Sequence, residues 1–249
     1  MPLKIIIVGA GIAGLCAGVA LSQAGHEVEV CDSFPIVTAR SFVLQIFEKS
    51  AFATEVGAAL MITPNGARVL SRLGFSFTRA RAVQMDRWTV LRGDNNDQMA
   101  SVDLSAAEEK FGAPVWAVHR VDLHNELLRL ATLHNDTGRP VKINLDSEVI
   151  GAEVEGAIIL RDGSRHNADV IIGADGLRSA LKDVVLPKDA KPPTPTGLSA
   201  FRFLIDTEKL KASESLSATL NKKGPGASLL ADIKETTKER HIMWYACRE

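Results

Sequence analysis

An α/β fold built on a parallel sheet is predicted by three features of this 249-residue chain. The first is a short apolar run, Lys4 to Val8, that leads into Gly9-Ala10-Gly11-Ile12-Ala13-Gly14 and then into a helix of small residues (Ala17, Gly18, Ala20). The second is another apolar run, Ala168 to Ile172, that ends in Gly173-Ala174-Asp175-Gly176. The third is a group of strand and turn signals at residues 82–104 and again beyond residue 198. The first two predict a Rossmann-like domain, and the third predicts a second domain made of sheet. Residues 1–81 and 105–186 are expected in the first domain. Residues 82–104 and 187–249 are expected in the second, as an incomplete one.

The elements follow in order. Strand one covers residues 4–8, and a helix covers about 12–24. Gly25 caps that helix, and Glu27 to Val30 reads as strand two. Ser41 to Phe47 is apolar enough for a strand, although nothing upstream requires one. Pro64-Asn65-Gly66 opens a helix that Gly74 closes. Gly93-Asp94-Asn95-Asn96 marks a hairpin within 82–104. Leu123, Leu127, Leu128, Leu130 and Leu133 repeat at near-helical spacing, with Asp122 as a cap. Residues 141–160 read as two short strands, and 168–172 as a buried parallel strand. Pro187 to Gly197 is rich in proline and lysine and reads as a crossover between domains. A strand at Ser199 to Ile205, a polar helix or loop, and two strands ending in His241 to Cys247 complete the chain.

Composition narrows the function. Apolar and charged fractions of 46% and 24% are those of a globular protein. A formal net charge of −1 gives no electrostatic case for nucleic acid or an anionic membrane. Cys16, Cys31 and Cys247 have no metal-ligand spacing, and a scattered odd set suits a reducing compartment. The first apolar run is too short for a signal peptide, and no run is long enough to span a membrane. A cytoplasmic enzyme is the expectation, with no metal.

The glycines carry the chemistry. Gly9 permits a tight turn, Gly11 lets backbone approach a pyrophosphate, and Gly14 lets the helix pack closely on the strand. The helix N-terminus adds N–H groups and a partial positive charge. A dinucleotide is therefore the expected ligand, against the plainer reading of a structural β-turn-α. Such a unit wants an acid about 20 residues past the glycines to hold the ribose hydroxyls. Asp32 stands there, or it is an ordinary turn aspartate. Asp175-Gly176 could aim a carboxylate and N–H groups at the cofactor, or be an ordinary Asp-Gly turn.

Together, the Gly9 to Leu15 loop, His119-Arg120-Val121-Asp122-Leu123 and Ala168 to Ser179 resemble the group A flavin-dependent monooxygenases. These are hydroxylases of the salicylate and para-hydroxybenzoate type. Glu55-Val56-Gly57-Ala58-Ala59 through Gly66 resembles the family's segment beneath the flavin. The resemblance implies a Rossmann-like FAD-binding domain of the GR2 type and a β-sheet substrate domain. It implies FAD as cofactor and NAD(P)H as co-substrate. It also implies O2 activation through a flavin C4a-hydroperoxide, with hydroxylation of an aromatic or polyketide-like molecule, as in fungal secondary metabolism or aromatic catabolism. Gly9, Gly11, Gly14, Gly57, Ala59, Arg120, Asp175 and Gly176 match cofactor-binding positions. Arg202 and Tyr245 match active-site positions, and both could equally be structural. Lys182 stands where the family often has arginine. Trp88, Phe201, Phe203 and Trp244 suit an aromatic substrate or a core. The alternatives are an FAD-dependent oxidase or reductase, a catalytically impaired fragment, and a nicotinamide-only dehydrogenase in which Arg120 and Asp175 would have no role.

Two departures from the family pattern stand out. Its acidic strand-two signature occurs twice, as Glu29-Val30-Cys31-Asp32 and as Ile46-Phe47-Glu48-Lys49. Removing Val30 to Gln45 would put Glu48 at position 32. Residues 30–45 thus read as an insertion close to the ribose site. One source is a retained short intron, since valine codons begin with GT and glutamine has the codon CAG. A natural surface loop is the other. The second departure is that the family's G-D-A-A-H motif is not found in the chain. The expectation from both is weak FAD binding and little turnover.

Overall fold

Ile5-Ile6-Ile7-Val8 is buried along its whole length, as a central parallel strand must be when layers cover both faces of its sheet. A computed structural model describes residues 3–24, 44–50, 58–133, 140–187, 189–217, 226–234 and 240–248. Its elements are β1 (Ile5–Val8), α1 (Ile12–Gln23), β2 (Leu44–Phe47), β3 (Ala59–Ile62), α2 (Pro64–Arg72), β4 (Val83–Gln84), β5 (Arg87–Arg92), β6 (Gln98–Asp103), α3 (Ala107–Phe111), β7 (Trp116–His119), α4 (Arg120–Thr132), β8 (Lys142–Asn144), β9 (Val149–Glu153), β10 (Ala157–Leu160), β11 (Arg165–Asn167), β12 (Val170–Gly173), α5 (Lys182–Val185), α6 (Thr207–Lys211), β13 (Ala227–Ala231) and β14 (His241–Trp244). The chain divides into two compact units, Met1–Val56 with His124–Ser199, and Gly57–Leu123 with Ala200–Glu249.

The first unit is built on a sheet of order β12-β1-β2-β8, with every neighbouring pair parallel. From the β8 edge its strands run third, second, first, fourth in chain order, the winding of a Rossmann half. Helix α1 buries Gly14, Leu15, Gly18, Val19 and Ser22, a stripe at helical spacing. A Cβ on Gly18 would stand 3.1 Å from Ile46 Cδ1, so the helix lies close against β2. Strands β9, β10 and β11 form an antiparallel meander. Its Val149, Ile158 and Leu160 share a core with Ile6, Val8, Phe47 and Leu181.

The second unit holds two sheets. In the order β14-β13-β5-β6, β13 runs parallel to β5 and the other pairs are antiparallel. The order β3-β7-β4 is antiparallel throughout. Met85, Ala107, Val115, Ala117 and Ala227 form its core, with Trp88 and Tyr245 packed against it. Phe77 stacks on Trp116 at a centroid distance of 4.7 Å.

Three sequence expectations change. The strand beside β1 is residues 44–47; the strand predicted at Glu27 to Val30 lies outside the described residues. Residues 141–160 make three strands, not two. Ser199 to Ile205 joins no sheet, and Phe201 is 94% exposed. Apolar alternation makes a strand only where a neighbour completes the ladder, and no described strand does so here.

Candidate functional site

The register of the first unit's sheet brings the main sequence features to one edge. Val8 stands opposite Gly173 on one side and Phe47 on the other. Three adjacent strands therefore end together. From their carboxyl ends leave Gly9-Ala10-Gly11, Ala174-Asp175-Gly176 and Glu48. Backbone bonds lock this edge: Gly9 N donates to Phe47 O at 2.7 Å, and Ala174 N donates to Val8 O at 2.8 Å. Ligands of open α/β sheets bind outside the carboxyl ends, where the winding reverses, which here is between β1 and β12.

The three loop glycines have different reasons to be glycine. Gly9 has φ +100°, and a Cβ there would stand 2.6 Å from Ala174 O. At Gly14 a Cβ would stand 1.9 Å from Gly9 O. Packing within the chain demands both. Gly11 is different. Its backbone is ordinary extended chain (φ −71°, ψ −174°), and an added Cβ would meet no atom of the described residues within 4 Å. No described residue needs glycine at this position, and the open backbone leaves room for an outside group to approach. Gly11 also N-caps α1 with no side-chain hydrogen bond, and the first turn carries no acid. A phosphate is the charge type that this helix end accepts.

Glu48 sits directly beside the loop. Its Oε2 accepts from Ala10 N at 2.8 Å and its Oε1 from Ser50 N at 2.9 Å. Each oxygen keeps a further lone pair, so the carboxylate can brace the loop and still accept from a ribose hydroxyl. His124, 2% exposed, approaches Ala10 O with Nε2 at 2.8 Å. A carbonyl only accepts, so Nε2 carries the proton. Ala10 is thus held through both its N–H and its C=O. Sequence reading missed His124, because a buried histidine in a helix carries no local signal of a partner 114 residues away. Asp175 Oδ2 accepts from Ala180 N at 2.7 Å, which ties down the turn after β12. Gly176 has φ +77° and open space about it.

The remaining candidates lie in the second unit. Ala59 pairs with His119, and Arg120 N donates to Ala58 O at 2.9 Å, so the two predicted positions Ala59 and Arg120 are neighbours. Tyr245 is half-buried. Burial pushes its phenol above the ordinary value, Cys247 adds to the rise, and the Arg202 charge opposes it. Arg202 itself is exposed. Asp32 and Gly57 lie outside the described residues. Among the described residues no cluster of His, Cys, Asp and Glu could hold a metal, and no helix is long and apolar enough to cross a membrane.

A parallel sheet wound this way, with a glycine loop, an acid and an Asp-Gly turn at adjoining strand ends, defines a Rossmann-type dinucleotide-binding protein. The family profile of NAD(P)-binding Rossmann-like domains matches residues 7–73. The chain is similar to FAD-dependent monooxygenases. It is 32% identical to hispidin-3-hydroxylase of Neonothopanus nambi, across 99% of this chain and 56% of that protein. It is 31% identical to the FAD-dependent monooxygenase cfoG of Aspergillus candidus, across 99% and 53%. The chain thus spans about half the length of the curated relatives it matches. The fold is that of 2-methyl-3-hydroxypyridine-5-carboxylic acid oxygenase, with TM-score 0.65 and 21% identity over 99% of this chain and 56% of that one. HpxO of Klebsiella pneumoniae, solved with FAD and uric acid, gives TM-score 0.54 and 25% identity over 72% and 40%.

Proposed function

We propose that this chain binds FAD at the carboxyl edge of the first unit's sheet. We further propose that it serves an NAD(P)H-consuming monooxygenase that hydroxylates an aromatic or polyketide-like small molecule. The observation that carries the FAD reading is Gly11, a glycine that packing among the described residues does not require. Gly11 and the α1 N-terminus would take the pyrophosphate, and Glu48 would take the ribose diol. Asp175-Gly176 lies on the same sheet edge and would flank the cofactor, and Arg120 and Ala59 of the second unit are further candidates to bind it. Bound FAD would supply the electron transfer and O2 activation that side chains cannot. The overall reaction would consume NAD(P)H, a proton and O2, and leave hydroxylated product, water and NAD(P)+. Arg202 and Tyr245 are the candidates to meet the substrate. A neutral Tyr245 phenol, kept so by its raised pKa, can donate a hydrogen bond across the physiological range. The substrate class follows the relatives, one of which is named for hydroxylating hispidin. A cytoplasmic location is part of the same reading.

Titration of the chain with FAD, read by flavin fluorescence, tests the proposal. Saturable binding is expected. Glu48→Gln keeps one acceptor oxygen but loses the charge, and a charge-assisted hydrogen bond is worth about 1.5–3 kcal/mol. The variant is therefore expected to bind about tenfold or more weakly. Absence of saturable FAD binding would overturn the cofactor assignment. Native affinity in Glu48→Gln would remove Glu48 from the ribose site. With substrate present, 18O2 label in the product supports oxygenation, whereas peroxide with unlabelled product indicates an oxidase.

A further inference from the structure

We propose that Arg248, His119 and Asp122 form a positioning device that fixes the backbone turn carrying Arg120; only its link to cofactor binding rests on the FAD reading. Strand β7 ends at His119 and α4 begins at Arg120, with no residue between them. The backbone holds this junction through the Ala59 and His119 pair and the bond from Arg120 N to Ala58 O. Side chains add a second brace. Arg248 Nε donates to Asp122 Oδ2 at 2.6 Å, and Nη2 donates to Asp122 Oδ1 at 2.8 Å. The same Nη2 donates to His119 Nδ1 at 3.0 Å. One guanidinium therefore grips the residue before Arg120 and the second residue after it. The planar fork sets direction as well as distance, which a lysine could not do. His119 is 6% exposed and the Asp122 side chain 14%, while the Arg248 side chain is 37% exposed, so solvent screens the pair in part and its direction comes from the two-point geometry.

The brace dictates a protonation state. Arginine offers only donors, so His119 Nδ1 must be a bare acceptor and the ring proton must sit on Nε2. An imidazolium would set N–H against N–H and add a second cation. The charged groups acting on the ring are Arg248, Asp122 and Arg81. Burial holds the His119 pKa below the ordinary histidine value, Arg248 and Arg81 push the same way, and Asp122 opposes them. With the folded value below the unfolded one, the contribution of the brace is complete above about pH 6.5. It is lost as pH falls through the folded value.

The test is FAD binding between pH 5 and 8, with 15N NMR of His119 in parallel. The native chain is expected to show the Nε2–H tautomer at pH 7.5 and to bind FAD about tenfold more weakly at the acid end. His119→Asn keeps an acceptor near Nδ1 but cannot be protonated, and its profile is expected to be flat. Arg248→Met is expected to weaken binding at every pH, with the acid dependence reduced. An Nδ1–H tautomer in the neutral native chain, or a full acid dependence in His119→Asn, overturns the positioning device. Absence of FAD binding in the native chain overturns the FAD reading instead, and the tautomer then decides the brace by itself.

Discussion

A chain lacking residues 30–45 is expected to fold and to bind FAD at least as tightly as the full chain. The deletion joins Glu29 to Ile46, so β2 would read Val28-Glu29-Ile46-Phe47 in place of Leu44-Gln45-Ile46-Phe47. The burial alternation is kept, because Leu44 is 1% exposed while Gln45 is only half-buried. Valine for leucine removes one buried methylene, about 0.8 kcal/mol. The connection from α1 to β2 would shorten from residues 24–43 to residues 24–27, into the range usual for such turns. Closing the shorter loop recovers about 1.4 kcal/mol, which offsets the lost methylene.

The opposite deletion, of residues 33–48, keeps Asp32 as the acid and is expected to fail. It would put Cys31 in the place of Phe47. Phe47 is 2% exposed, packs with Ile6, Val8, Val149, Ile158, Leu160 and Leu181, and meets the His166 ring at 4.9 Å. Emptying that space costs about 3 kcal/mol or more. The core therefore favours Glu48 over Asp32, because a large apolar side chain must precede the acid. Thermal melts and FAD titrations of the two deletions check this. Equal behaviour, or a better-folded chain with Asp32, would reverse the assignment. Transcript sequencing addresses the separate matter of origin, and a message that always includes codons 30–45 would rule out a retained intron.

The second large effect separates two glycines of one motif. Gly14→Ala is expected to lower Tm by about 4–8 °C, while Gly11→Ala leaves it within about 2 °C. Alanine gains about 1 kcal/mol in a helix, but its Cβ at position 14 would collide with Gly9 O, a backbone atom in a turn that cannot retreat. Overpacking of this kind costs about 3 kcal/mol, so the loss prevails. At Gly11 alanine meets open space in an allowed conformation. Its weaker capping and its smaller unfolded-state entropy nearly cancel. FAD binding is expected to fall tenfold or more in Gly11→Ala, about 1.4 kcal/mol or greater, because the methyl group occupies the approach of the pyrophosphate. A Gly11→Ala chain that binds FAD normally would remove the pyrophosphate from this loop.

Much of the first unit was legible in the sequence. Four β-branched residues in a row, three glycines at fixed spacing and an Asp-Gly turn after a second apolar run each express local chemistry that needs no distant partner. The same holds for the hairpin at Gly93 and for the helix from Pro64. Ser199 to Ile205 was misread because a strand is a property of pairs, and its pattern cannot say whether a partner exists. The two acids, Asp32 and Glu48, were indistinguishable for a similar reason. Both follow a run of strand type, and spacing from the glycines favours the first while wording favours the second.

The sequence by itself determined that a strand, a glycine loop and a helix would meet in the first few turns of chain, and that the chain resembles a flavoprotein. Only the tertiary structure decided which glycine faces outward, which acid stands beside the loop, and that Arg248 braces the turn at Arg120. The acid and the brace depend on atoms brought together from 38 and 129 residues apart, and local sequence carries no record of such distances.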